Sequence, residues 1–367
     1  MSNYKILYLR WGPPSHDQLK LKELFKDRYG IDIYFQALNE SLDLSFNEIE
    51  PENYDIIYYT NFFNPINDLK SIMNLKQKYI SDRVKIILGV HAPIMLRHFS
   101  LSYRPTHYLW SLLSTLRLIM ERFFKVFDGI HTLNTFDTKV FNLLKFKNVR
   151  YIPWGIDLNL RFSIKSYIIK NISHKDRFII TITYAARYDK GGDFAYKVLN
   201  ILLSRYDNIY AFITLGRKNY RIELAKKYIE LAKKYPDKIE LYEWLPHKEF
   251  LKKLAESSIF LFTSRTETFG RTVLEALSLG VPVVSFDIPG APRDVIRPFV
   301  NEKIGYLAKP FDLNDLLKGI IMYYKIFHNN PTLMLKISNK CIKVSSYFSI
   351  ERMAENFYKF INDLKNK

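Results

Sequence analysis

Glu267 and Glu275 stand with seven residues between them, inside the run Ser264-Arg265-Thr266-Glu267-Thr268-Phe269-Gly270 and its continuation Arg271-Thr272-Val273-Leu274-Glu275. Residues 259–263 are apolar and aromatic, too short for a helix and bounded by polar turn formers, which predicts a buried parallel strand. Residues 281–286 read the same way. Between them Thr266 or Thr268 is expected to cap a helix whose Val273, Leu274, Leu277 and Leu279 share one broad face, and Gly280 followed by Pro282 ends it. Ligands of open parallel sheets collect outside the carboxyl ends of strands, so Glu267 falls at the usual ligand position and Glu275 along the helix that follows. The helix start offers backbone amides around Phe269 and Gly270 to an anion. A phosphate there, flanked by carboxylates that accept hydroxyl hydrogens, describes a sugar nucleotide.

Around this pair the Ser264 before the first glutamate, Phe269-Gly270 after it, Glu275-Ala276 and Gly280-Val281-Pro282-Val283-Val284 complete a pattern. It resembles the retaining glycosyltransferases of the GT-B fold, specifically family 4. The resemblance implies two Rossmann-like domains facing each other across a donor-binding cleft. It also implies a nucleoside diphosphate sugar of UDP, GDP or ADP type as donor, no other cofactor, and no metal. Glu267 would hold the hydroxyls of the donor sugar and Glu275 those of the ribose, with Phe269, Gly270 and Arg271 lining the donor.

Three further segments fit the same resemblance. Ala185-Ala186-Arg187-Tyr188-Asp189-Lys190-Gly191-Gly192 follows a strand at 178–183 and precedes a helix, so Arg187 and Lys190 project from a strand-end loop whose glycines admit close approach of backbone. The family places an arginine and a lysine there against the diphosphate, where charge grows as the glycosidic bond breaks. Glu243-Trp244-Leu245-Pro246-His247, after a strand at 239–242, resembles the loop that contacts the nucleobase through Trp244 or Leu245; a simple turn with a helix cap explains it almost as well. Gly216 is expected to border the donor. His91 follows the strand at 84–90, where family members present a histidine to the donor sugar; the plain alternative is a satisfied interdomain histidine. The early turn Trp11-Gly12-Pro13-Pro14 lacks the family's paired glycines and leaves Gly12 to serve that loop. Trp154 stands where the family has asparagine, and Asp294 where it has a longer acid.

The elements that must position these residues alternate along the chain. Strands at 6–9, 31–35, 56–60, 84–90 and 129–133, with helices at 18–29 and 65–79, argue a parallel sheet covered by helices. A second alternating series begins at 178. With 367 residues the chain accommodates two domains, placed at 1–160 and 177–347, with a C-terminal segment 348–367 packing back on the first. Residues 158–175 are polar, basic and irregular, as hinges are.

Composition bounds the setting. No segment reaches the apolar length of a membrane span, the start lacks the apolar core of a signal peptide, and the single Cys341 fits a reducing compartment, which together make the cytoplasm the default. The formal charge of +18 invites nucleic acid or an anionic membrane as partner, although lysine is abundant everywhere. Between 84 and 150 ten Lys and Arg oppose only Glu121, Asp128 and Asp137. Residues 103–127 mix Trp110, Phe123 and Phe124 with Arg104, Arg117, Arg122 and Lys125, either a core helix of the first domain or an interfacial helix on a membrane surface.

The expected reaction is transfer of a sugar to an acceptor hydroxyl with retention, on a lipid-linked or surface glycan. A front-face route, with the departing phosphate taking the acceptor's proton, fits better than a glycosidase-like carboxylate pair because Glu275 is assigned to ribose. Domain closure would exclude water. Rival readings are an epimerase of the same fold, a basic nucleic-acid-binding protein, and a transferase acting on DNA.

Overall fold

The computed structural model describes residues 4–10, 14–37, 53–60, 84–90, 127–159, 176–216 and 221–366. The chain forms two compact units, Met1–Gly155 with Ile350–Lys367, and Ile156–Ser349.

The first unit carries β1 (Lys5–Arg10), α1 (His16–Tyr29), β2 (Asp32–Ala37), β3 (Ile56–Thr60), β4 (Lys85–Val90), β5 (Gly129–Thr132), α2 (Thr135–Leu143) and β6 (Val149–Tyr151). Its six strands pair in the order β2-β1-β3-β4-β5-β6, every pair parallel. Leu7, Leu9, Ile57, Tyr59, Leu88, Val90 and Ile130 point from neighbouring strands into one buried cluster with Phe141 of α2. Strands this apolar fit a sheet covered on both faces. Helix α1 starts where Ser15 and Gln18 bond each other's backbone N–H reciprocally, the capping box that fixes a helix entry. The last helix, Ile350–Lys365, lies on α1, with Tyr29 stacked on Tyr358 at 4.2 Å and Phe25 edge-on to Phe357 at 5.8 Å.

Two elements of this unit, α2 and β6, go beyond the sequence expectation. The first is nine residues long and depends on Asn134, whose side chain accepts from the Asp137 N–H at 2.8 Å. The second is a three-residue edge strand with no fully buried residue, too short for periodicity to register.

The second unit carries β7 (Phe178–Ile182), α3 (Gly192–Arg205), β8 (Ile209–Thr214), α4 (Ile222–Lys234), β9 (Ile239–Tyr242), α5 (His247–Ala255), β10 (Ile259–Phe262), α6 (Arg271–Ser278), β11 (Val283–Phe286), β12 (Gly305–Ala308), α7 (Leu313–Asn329) and α8 (Pro331–Ser345). Its parallel sheet runs β12-β11-β10-β7-β8-β9. The first three strands step outward in one direction from β7, and the next three step outward in the other from β10. Strand order therefore reverses between β7 and β10, and a doubly wound sheet receives its ligand beside the carboxyl ends of the strands flanking such a reversal.

Both units are Rossmann-like, as the alternation of elements along the sequence implies. His91, Gly12, the helix expected at 65–79, residues 103–126 and nearly all of 158–175 lie outside the described residues.

Candidate functional site

The loops that leave β7 and β10 are the two that flank the switch point, and they carry Arg187, Lys190 and Glu267. They are tied together by backbone and side chain. The Thr263 hydroxyl donates to the carbonyls of Lys190 (3.1 Å) and Gly191 (2.9 Å), and the Arg265 N–H donates to the Asp189 carbonyl at 2.9 Å. Gly191 has φ 67°, and a Cβ there would collide with the Thr263 carbonyl oxygen, so only glycine lets the two loops approach this closely.

Arg265 fastens the same contact from below. Its side chain is 2% exposed and grips both carboxylate oxygens of Asp193, at 2.6 and 2.8 Å, while also donating to the Tyr188 carbonyl at 2.6 Å. The guanidinium lies 3.7 Å from the centre of the Tyr188 ring and 4.3 Å from that of Phe194. A rigid, planar donor fork is suited to this combination of bidentate bonding and stacking, which a lysine could not reproduce. Sequence reading passes over Arg265 because a lone arginine beside a glutamate motif carries no pattern of its own.

The two loops bring Lys190 and Glu267 into a direct ion pair, and the Ser264 hydroxyl donates to the same Glu267 oxygen at 2.8 Å. Arg187 lies in the same loop as Lys190 and forms a bidentate pair with Asp189, at 3.0 and 2.6 Å. Burial alone would lower the Arg187 pKa, but the hydrogen bond and charge of Asp189, with help from Tyr184 and Glu267, raise it above its ordinary value. Arg187 and Lys190 retain 33% and 22% exposure, enough for a polyanion to reach them.

Helix α6 begins otherwise than expected. Its N-cap is Gly270, at φ 90° and ψ 62°, with no side-chain cap, and neither Thr266 nor Thr268 fills that place. The chain enters the helix through a left-handed residue, a conformation that suits glycine. Phe269 is 3% exposed, and its carbonyl accepts from the Ala291 N–H at 2.5 Å. What Phe269 can offer a ligand is therefore backbone. Arg271 opens the helix beside it, half-buried.

Glu275 stands at the fifth position of α6 and is 2% exposed. Its carboxylate is bonded to Nε2 of His247, 3.0 Å away at the start of α5. His247 lies in the loop read as a nucleobase contact, but the sequence suggests no role for it, since a single histidine in a turn has no metal or catalytic spacing. Trp244 is 45% exposed in that loop and Leu245 half-buried. Gly216, φ 126°, bonds through its N–H to the Glu243 carbonyl at 2.9 Å and lies against the Tyr184 ring, so the ends of β7, β8 and β9 converge here. Among the described residues no group of three or more His, Cys, Asp or Glu gathers as metal ligands would.

Residues 164–332 match the model of the family described as glycosyl transferases group 1. All the site residues just described fall inside this matched stretch. The chain is 23% identical over 185 residues to an uncharacterized glycosyltransferase of Haemophilus influenzae, covering 50% of this chain and 48% of that one. It is 29% identical over 184 residues to a phosphatidylinositol N-acetylglucosaminyltransferase component of Arabidopsis thaliana, covering 49% and 38%. Each alignment thus spans less than half of the relative concerned. The solved structure of Anabaena HepE in complex with UDP and glucose is similar over 98% of this chain and 100% of that one, with a TM-score of 0.69 at 16% identity. The fold class is GT-B.

Proposed function

We propose that this chain is a family 4 glycosyltransferase that moves a sugar from a nucleoside diphosphate sugar to an acceptor hydroxyl with retention. One observation carries the reading: Lys190 and Glu267, contributed by two separate strand-end loops, meet at the switch point of a sheet inside the stretch that matches the group 1 model. A cation suited to a leaving diphosphate and a carboxylate suited to sugar hydroxyls are what such a donor requires at its reacting end.

In this reading Arg187 and Lys190 bind the diphosphate and offset the charge that builds on it as the anomeric bond breaks. Glu267 accepts from sugar hydroxyls, Glu275 from the ribose, and Trp244 with Leu245 borders the base. The departing phosphate takes the acceptor's proton, and no metal is assigned to the step. HepE, solved with UDP, makes UDP sugars the first donors to try. A lipid-linked or surface glycan is the proposed acceptor, supported by the aromatic and basic residues 103–127 and by a relative named for phosphatidylinositol. With that acceptor the reaction runs in the cytoplasm, at a membrane face.

The test is calorimetric titration of UDP, GDP, ADP and dTDP sugars into the protein and its Glu275→Ala variant, followed by NMR of the sugar released or transferred, with and without EDTA. Saturable binding lost in the variant, with an α-linked donor giving an α-configured product, supports the proposal. Conversion of the donor into its epimer without an acceptor would replace it with the epimerase reading.

A further inference from the structure

The bond between His247 and Glu275 joins two parts of the site that the sequence motifs treat separately. Glu275 is held in the interior of the second unit, its neighbours on α6 Val273, Leu274, Ala276 and Leu277 all fully buried. A carboxylate so placed needs donors fixed in space, because water is not there to reorient around it. His247 supplies one from a different element. It opens α5, whose Phe250, Leu251 and Leu254 are buried and hold that helix in place, while the imidazole itself is 39% exposed. An ionised carboxylate can only accept, so Nε2 carries the hydrogen, and this holds for the neutral ring and the imidazolium alike.

We propose that His247 is a positioning residue: it sets the orientation of Glu275 toward the ribose hydroxyls and thereby gives the site a preference for ribonucleotides over 2′-deoxyribonucleotides. The inference rests on the donor-site reading above. Its physical basis is that a carboxylate held by a donor fixed on another helix presents its acceptor capacity in a fixed direction. A ribose with both hydroxyls satisfies that direction, and a sugar lacking one leaves a desolvated acceptor without its donor, a mismatch that polar sites reject strongly.

The experiment is a two-way cycle measured by calorimetry. UDP, GDP and ADP are titrated into the wild-type chain; whichever binds is compared with its 2′-deoxy counterpart in the wild type, His247→Ala and His247→Gln, with thermal melts run alongside. The wild type is expected to prefer the ribonucleotide by about tenfold or more. In His247→Ala the ribonucleotide should weaken by about tenfold while the 2′-deoxy nucleotide stays within about twofold, so the preference collapses. His247→Gln, whose amide N–H can reach the carboxylate, should recover most of it. Equal weakening of both nucleotides in His247→Ala, or a preference that survives the substitution, would overturn the inference while leaving the donor site intact. Failure of every nucleoside diphosphate to bind the folded wild type would instead overturn the donor-site reading, and this inference with it.

Discussion

Removing the Arg265 side chain should damage the donor loop more than any surface contact would suggest, and the size of the effect follows from its surroundings. Arg265→Ala leaves the Asp193 carboxylate without its bidentate partner and the Tyr188 carbonyl without its donor. Breaking a buried ion pair from one side costs about 3–5 kcal/mol, and Asp193, still 28% exposed, draws on the lower part of that range. The guanidinium also lies over the Tyr188 and Phe194 rings, and such a contact is worth about 0.5–2 kcal/mol, more as it is desolvated. These contributions share one side chain and do not simply add, which gives about 4 kcal/mol in total. In a unit this large each kcal/mol moves the melting temperature by about 2–4 °C, so a fall of about 8–16 °C is expected in the transition of the second unit. Arg265→Lys keeps the charge but not the planar fork, and should lose about half as much. The assay is urea unfolding followed by circular dichroism and tryptophan fluorescence, with UDP affinity measured on the folded variants. A loss below about 1 kcal/mol in Arg265→Ala would refute the reasoning, because it would mean the two loops are held without the clamp.

His131 is fully buried, accepts at Nδ1 from the Tyr58 hydroxyl at 2.5 Å and donates from Nε2 to the Ile152 carbonyl at 2.8 Å. Burial lowers its pKa from 6.5 to about 4, against the opposing pull of the Ile152 bond; between those values the unfolded chain binds the proton and the folded one does not. Stability should therefore fall as pH drops from about 6.5 to 4, by about 3 kcal/mol, and His131→Gln should flatten that part of a pH–stability profile. Cys341 is fully buried with its thiol pKa pushed up by burial, so a thiol-specific reagent should label it only at the rate of global unfolding. Fast labelling of the folded protein would contradict that placement. Glu267→Gln releases Lys190 from its carboxylate, so UDP binding should hold or strengthen while sugar transfer falls about 100-fold or more; parallel losses in both would make Glu267 a scaffold residue instead.

What the sequence makes legible follows the strength of each local signal. Buried strands such as Ile259–Phe262 and Val283–Phe286 are uniformly apolar between turn formers, and their pairing into a parallel sheet follows from the helices between them. Spacing and flanking residues single out Glu267, Glu275, Arg187 and Lys190 in the sequence, and the structure pairs Lys190 with Glu267. The N-terminus of α6 differs from expectation because threonine is a better cap in isolation, whereas the chain enters this helix at φ 90°, a left-handed conformation that suits Gly270 and not threonine. Arg265 and His247 are invisible for a different reason. Their roles are defined by partners 72 and 28 residues away in the chain, and no local periodicity or motif encodes a contact of that kind.

The charges of the donor loop bear on how such a site would use binding energy. Lys190 is paired with Glu267 and Arg187 with Asp189, so a diphosphate has to exchange these carboxylates for its own oxygens instead of meeting bare cations. The exchange makes ground-state binding modest, because part of each attraction to phosphate is offset by the pair it displaces. In the proposed reaction, negative charge would move onto the leaving diphosphate as the anomeric bond breaks, and its claim on Lys190 and Arg187 would grow while that of Glu267 and Asp189 would not change. The difference is available only in the transition state, which is where stabilisation raises turnover. This gives the Arg265 clamp its functional sense. The exchange needs the two cations to stay within reach of both sets of partners, and the buried guanidinium holds the loop that carries them at that distance.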